Sequence, residues 1–212
     1  MAGKRILAFD FGASSGRAIL ANYEDGKIRM EEIHRFSNDP VTICGTFYWD
    51  ILRLFFEIKQ GISKAVHQGG FDAIGIDTWG VDFGLLDKKG RLLNNPVHYR
   101  DTRTTGMMEK VFEKVPQEEL YGETGIQLMR INTIFQLYSL VLNEPETLAQ
   151  ADKLLLIPDL FAYLLTGEQR AEYTEVSTTQ MLNPRTGDWH YELLEKLGIP
   201  TRILPKIIDA GE

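Results

Sequence analysis

Within the first 36 residues, three strand-length runs follow one another with only tight turns between them, which limits the chain to folds built on an antiparallel meander. Arg5 to Asp10 is a short apolar run, Ala18 to Tyr23 follows a Gly-Ala-Ser-Ser-Gly turn, and Lys27 to Phe36 follows a second turn at Asp25-Gly26. Links this short force neighbouring strands to run antiparallel, because a parallel return needs a crossover of about a dozen residues. Such a crossover comes next. From Ile51 to His67, apolar residues at 51, 54, 55, 58, 62, 65 and 66 trace one helical stripe, with Asp50 placed as N-cap and Gly69-Gly70 as the stop. A buried-type strand, Ala73 to Asp77, follows it, and after Thr78-Trp79-Gly80 a further strand, Val81 to Leu86, runs to the turn at Asp87–Gly90. A helix between strands implies a mixed sheet flanked by helices, hence the α/β class.

From Asp101 onward the pattern turns mainly helical. Thr104 to Val115, Thr133 to Leu142, Ile157 to Thr166 and Tyr191 to Leu197 are the candidate helices, separated by Pro116, Pro145, Gly167 and Pro184-Arg-Thr-Gly187. The expected form is one α/β domain with a helical insertion over about residues 101–190. With 43% hydrophobic and 25% charged residues among 212, the composition is that of a soluble globular protein. No run approaches the roughly 18 apolar residues of a membrane helix, and no apolar signal core follows the basic start, so a cytoplasmic location without membrane partners is expected. Cys44 is alone, which rules out a disulfide framework or a thiolate metal cage. A net charge of −7 disfavours nucleic acid as a partner. It does not exclude nucleotides, whose phosphates are held locally by backbone amides and Mg²⁺.

Three segments carry chemistry. In Asp10-Phe-Gly12-Ala13-Ser14-Ser15-Gly16-Arg17, between the first two strands, two glycines permit a sharp turn and two hydroxyls add donors, an arrangement suited to a phosphate chain. Asp10, at a strand end, is positioned to hold Mg²⁺ directly or through water. The same string also reads as an ordinary hairpin turn, and it is neither a Walker loop nor a dinucleotide fingerprint. In Gly75-Ile-Asp77-Thr78-Trp79-Gly80-Val-Asp82-Phe-Gly84, polar residues interrupt a strand pair at a junction, where ligands of open α/β sheets dock. Gly80 would admit a ligand close to the main chain, and Trp79 is either a platform for a carbohydrate face or core filling. In His98-Tyr99-Arg100-Asp101-Thr102-Arg103-Thr104, fixed donors and acceptors alternate at a spacing that can grip a polyol. There Asp101 or Thr102 could equally cap the following helix.

Taken together, the three segments resemble the FGGY carbohydrate kinases, and among them the rhamnulokinase branch. That branch carries Asp-Xaa-Gly-Ala-Ser-Ser-Gly-Arg, Ile-Asp-Thr-Trp-Gly-Val-Asp-Phe and Tyr-Arg-Asp-Xaa-Arg-Thr, which stand here at residues 10–17, 76–83 and 99–104. Glu32-Ile-His-Arg-Phe36, Asn132-Thr133 with Gln136-Leu137, Pro158-Asp159, Leu165-Thr-Gly167, Glu172-Tyr-Thr174 and Thr178-Thr-Gln180 extend the likeness along the chain. A Lys and a Trp of the general family signature, near Gln136 and Ser139, are absent.

The resemblance implies the ribonuclease H-like fold of actin and hexokinase. It implies ATP and Mg²⁺ as cofactors and a ketose as substrate, with the γ-phosphoryl group passing to the 1-hydroxyl of L-rhamnulose; L-fuculose and xylulose are the alternative ketoses. Asp10 would organise Mg²⁺, and Gly12, Ala13, Ser14, Ser15, Gly16 and Arg17 would face the phosphates. Thr78, Trp79, Gly80, Arg100 and Asp101 would shape the sugar site. The family's general base is an Asp in a region with no counterpart in these 212 residues, and a second lobe supplies its adenosine pocket. A chain lacking both is therefore expected to be a kinase N-terminal part, inactive alone. Two rivals remain at this stage: a metal-dependent nuclease built on the carboxylates of Asp10, Asp77 and Asp82, and a binding module without chemistry.

Overall fold

A computed structural model describes residues 3–211. In chain order the elements are β1 (Lys4–Phe11), β2 (Ser15–Glu24), β3 (Lys27–Ser37), β4 (Val41–Ile43), β5 (Thr46–Tyr48), α1 (Ile51–His67) and β6 (Ala73–Asp77). Then come β7 (Phe83–Leu86), α2 (Met107–Phe112), α3 (Gln117–Thr124), α4 (Thr133–Asn143), α5 (Pro145–Gln150), β8 (Lys153–Leu156), α6 (Ile157–Thr166) and β9 (Arg170–Glu172). Last are α7 (Tyr173–Ser177), β10 (Leu182–Asn183), β11 (Asp188–Trp189), α8 (Tyr191–Lys196) and β12 (Lys206–Ile208). The chain divides into two compact units, residues 1–41 with 49–79, and residues 42–48 with 80–212.

The first unit is a four-stranded sheet of order β3-β2-β1-β6. β1, β2 and β3 pair antiparallel, and β6 returns parallel to β1 after the α1 crossover. Strand alternation sorts the side chains by face. Leu7, Phe9 and Phe11 of β1, with Ala18 and Leu20 of β2, are buried on one side, and α1 supplies Ile51, Leu54, Ile58 and Ala65 as its buried stripe. At about 1.5–3 kcal/mol for each large apolar side chain removed from water, this layer is the main stabilising contribution to the unit. A buried charge also ties α1 to β3. Glu57, 4% exposed, receives His34 Nε2 at 2.6 Å and the Arg53 guanidinium. Burial works against its ionisation, but these two partners outweigh that and hold the carboxyl below its ordinary range. α1 starts where Asp50 accepts the Arg53 amide at 3.1 Å, as the cap pattern predicts.

The second unit is built around α4 and α6 with short strand pairs, β7 with β8, β9 with β12 and β10 with β11. Its core runs through Phe83, Ile134, Phe135, Leu137, Leu154 and Trp189. Here the sequence reading needs two corrections. The strand expected over Val81 to Leu86 begins only at Phe83, since Val81 sits at φ +69, outside strand geometry. It pairs with β8 in a small two-stranded sheet. The helix expected over Thr104 to Val115 is cut by Gly106 at φ +73, leaving a 3₁₀ turn at Thr102–Thr104 and the shorter α2.

Candidate functional site

Asp10 lies near the end of β1, with Arg17 opposite it on β2 and Asp77 opposite it on β6. Directly paired residues of neighbouring strands point to one face. Arg17, Asp10 and Asp77 therefore form a charged row across three strands, on the side away from α1. Arg17 donates to a single oxygen of Asp10 through Nε at 2.8 Å and Nη2 at 2.7 Å. Both side chains are close to half exposed, 45% and 43%. An exposed pair of this kind contributes about 0–1 kcal/mol, less than the charge-assisted bonds Arg makes to phosphate.

The hairpin between Asp10 and Arg17 turns through the exposed residues Gly12, Ala13 and Ser14. Gly12 N donates to Ser15 O at 2.8 Å, and Asn38 braces the turn from β3's end, its amide on Ser14 O at 3.0 Å and its side chain on Gly12 O at 2.9 Å. Ala13 and Ser14 donate to no backbone carbonyl among the described residues. Gly16 is buried against Phe36, whose ring carbons would stand 2.3 Å from an added Cβ. A side chain there would press on the Phe36 ring and disturb the pairing of β2 with β3 at the base of the hairpin.

Thr78 and Trp79 continue from Asp77 in the same unit. Thr78 Oγ1 donates to Trp79 O at 3.0 Å, and the Trp79 ring stacks on the fully buried Trp49 with centroids 3.9 Å apart. One face of Trp79 is thus committed to packing.

Gly80, Arg100 and Asp101 belong to the second unit. An added Cβ on Gly80 would stand 2.9–3.1 Å from three atoms of the Thr178 side chain. Asp101 is 6% exposed, and both its oxygens hold backbone amides, Phe47 N at 2.7 Å and Arg103 N at 2.8 Å. It caps the 3₁₀ turn, the capping role the sequence left open. Arg100 is exposed, its guanidinium 5.3 Å from the Tyr99 ring centroid. Between them and β5, His98 is 2% exposed, stacks on Phe47 at 4.5 Å and accepts the Arg100 amide on Nδ1 at 3.0 Å. Burial, with the Arg100 charge adding to it, lowers His98 to about 4, so the ring is neutral near pH 7. A cavity of about 90 Å³ borders Asp101 and Arg103 together with Tyr48, Phe83 and Asn95. A larger cleft of about 610 Å³, lined by Glu123, Arg185, His190 and Lys196 among others, contains none of the residues singled out from sequence.

The sequence pattern of the FGGY family of carbohydrate kinases, N-terminal domain, matches residues 5–212. The chain belongs to the FGGY family. It is 45% identical to a rhamnulokinase from Oceanobacillus iheyensis over 202 residues, 95% of this chain and 43% of that one. It is 43% identical to a rhamnulokinase from Bacteroides thetaiotaomicron over 210 residues, 99% of this chain and 43% of that one. Among solved structures, a gluconate kinase from Lactobacillus acidophilus superposes with a TM-score of 0.86 at 23% identity, covering 98% of this chain and 42% of that one. A ligand-bound xylulose kinase from the same organism gives 0.85 at 24%, covering 97% and 42%. These neighbours share the actin/hexokinase-type fold that the motifs implied, with its mixed sheet and flanking helices. The FGGY chain spans a little over two fifths of the length of the curated relatives it matches. Residues without an assigned role in the sequence reading also gather round Gly80: Thr133, Gln136 and Thr178. Their only signal in the sequence was membership of matching segments, because a side chain that acts on backbone carries no motif of its own.

Proposed function

We propose that these residues form the N-terminal part of an ATP-dependent ketose kinase that transfers the γ-phosphoryl group to the 1-hydroxyl of L-rhamnulose, giving L-rhamnulose 1-phosphate and ADP. The observation that carries the reading is the identity of 43–45% to rhamnulokinases across 95–99% of the chain. In this reading Ala13 to Gly16 offer amides and hydroxyls to the phosphates, and Arg17 moves from Asp10 to a phosphate oxygen. Gly80 and Arg100 border the acceptor, and Asp101 holds their segment in place. Residues of about 101–190 serve as a helical insertion in the lobe.

No cluster of three or more His, Cys, Asp or Glu side chains among the described residues is arranged to hold a metal. Asp10, with Asp77 paired to it on β6, would hold a divalent ion carried in with the nucleotide. Mg²⁺ bound in this way offsets charge on the phosphoryl group in transfer. The general base that takes the hydroxyl proton and the adenosine pocket lie, in this proposal, in a further lobe outside these 212 residues.

Calorimetric titration tests the reading. L-rhamnulose is expected to bind more tightly than L-fuculose or xylulose, and MgATP binding is expected to weaken by about tenfold in Arg17→Ala, the loss of roughly one charge-assisted contact. Equal or absent response to all three ketoses, or Mg²⁺-dependent nicking of DNA, would contradict it.

A further inference from the structure

Val81 carries a backbone conformation that its side chain resists. A β-branched residue at φ +69 is an outlier in the left-handed region, and such conformations persist only where surrounding contacts impose them. The turn is three residues long: Asp82 N donates to Gly80 O at 3.0 Å, closing a γ-turn of the rare positive-φ form around Val81.

The contacts that impose it are specific. Val81 N donates to Thr178 Oγ1 at 3.2 Å. Val81 O accepts Thr133 Oγ1 at 2.7 Å and Gln136 Nε2 at 3.3 Å. Gln136, fully buried, does more than brace this carbonyl. Its Nε2 also donates to Asp82 Oδ1 at 2.9 Å and Ile131 O at 2.8 Å, while its Oε1 accepts Arg103 Nη2 at 2.6 Å. Asp82, also fully buried, uses Oδ2 to accept the Tyr99 amide at 3.1 Å. One side-chain amide thus links the Gly80-Val81-Asp82 turn to the Tyr99–Arg103 segment through both of its ends.

We propose that Gln136 is a positioning residue of the acceptor site: acting through Val81, Asp82 and Arg103, and assisted by Thr178, it holds the Gly80 turn and the Tyr99–Arg103 segment in a fixed mutual register. The inference rests on the reading of Gly80 and Arg100 as acceptor-binding residues. Both ends of an amide are needed here. A carboxylate in place of Nε2 would face Asp82, and an ammonium in place of Oε1 would face Arg103.

The test combines local hydrogen exchange with ketose binding. In Gln136→Met, the amides of Val81, Asp82 and Tyr99 are expected to exchange at least about tenfold faster relative to those of β8, and the dissociation constant for L-rhamnulose is expected to rise by a similar factor, about tenfold. Adding Val81→Gly, which removes the conformational resistance, should recover part of the binding. Should Gln136→Met fail to fold, Thr178→Val, which removes one acceptor from the turn, is expected to show the same local pattern at Val81 and Asp82. A uniform acceleration across the second unit, or unchanged exchange at Asp82 and Tyr99, overturns the positioning role even if the ketose binds. If the unaltered chain binds no ketose while the local exchange responds, the acceptor reading falls and takes the functional part of the proposal with it.

Discussion

Two buried titratable groups make opposite demands on the pH range in which this FGGY chain is stable. Asp159, in the first turn of α6, is 8% exposed. Burial raises its carboxyl from 3.8 to about 7; the Glu172 charge adds to the rise, and the Glu172 amide, donated at 3.1 Å, opposes it. A raised folded value means that the protonated form is favoured in the native state. Stability is therefore full below the ordinary value and falls as pH climbs from 3.8 towards about 7. Asp159→Asn keeps the acceptor for the Glu172 amide and removes the charge from a carboxyl whose second oxygen, Oδ2, is buried without a partner. Chemical denaturation at about pH 8 should find it more stable than the unaltered chain by roughly 1–3 kcal/mol, with the difference fading on acidification. His98 works the other way. Its folded value of about 4 lies below the ordinary 6.5, so its contribution is complete above 6.5 and is lost as pH falls through that window. An NMR titration should show its ring neutral throughout the range above about pH 5; protonation near 6.5 would mean that the ring is not buried as described. The sequence placed His98 only as a neighbour of the Arg100 and Asp101 pattern; the structure makes it a stacked, neutral acceptor for the Arg100 amide. Burial, which decides that role, is a property of the packed unit and leaves no trace in the string His-Tyr-Arg-Asp.

At the scale of elements, legibility followed periodicity. α1 stands where its apolar stripe placed it, because the helix is long enough for one pattern to dominate. β6 has the expected bounds, but it is an edge strand with mostly exposed residues and not the buried-type strand expected from its apolar run, since burial depends on what covers a strand and not on its composition alone. α3 was not foreseen: its apolar residues form no stripe, and it is set instead by Pro116 before it and Gly125 at φ +68 after it. The strand expected from Val81 lost two residues to a turn braced by side chains of α4 and by Thr178, distant in sequence, which no local pattern reports. Two changes test elements that bear on function. Asp50→Ala should cost α1, and with it the sheet's buried face, about 1 kcal/mol in urea denaturation; no loss would mean that the cap at Arg53 N is not made in solution. Gly16→Ala should cost roughly 1–3 kcal/mol, since a Cβ meets the Phe36 ring, and should weaken MgATP binding by displacing the hairpin. Unaltered nucleotide binding in a folded Gly16→Ala chain would separate the turn from the phosphates.

For the molecule as a whole, the fold class was legible because two short links and one crossover leave few topologies open. The division at Gly80 was not, since no change of composition marks it. The motifs carried the family, and the function proposed above would divide the work of a kinase: a hairpin for the phosphates on one sheet, an acceptor turn on a helical unit, and a base and adenosine pocket in a further lobe. This division predicts that the 212-residue chain releases no ADP from ATP in the presence of L-rhamnulose; steady ketose-dependent release from pure protein would place the base within it. The central claim is the pairing of the hairpin with nucleotide and of the Gly80 segment with ketose. Backbone NMR of the chain, titrated separately with MgATP and with L-rhamnulose, tests it most directly. Shifts at Gly12–Arg17 and Asp77 with the nucleotide, and at Thr78–Gly80 and Tyr99–Asp101 with the ketose, are the predicted result, whereas silence at the hairpin under saturating MgATP would contradict it.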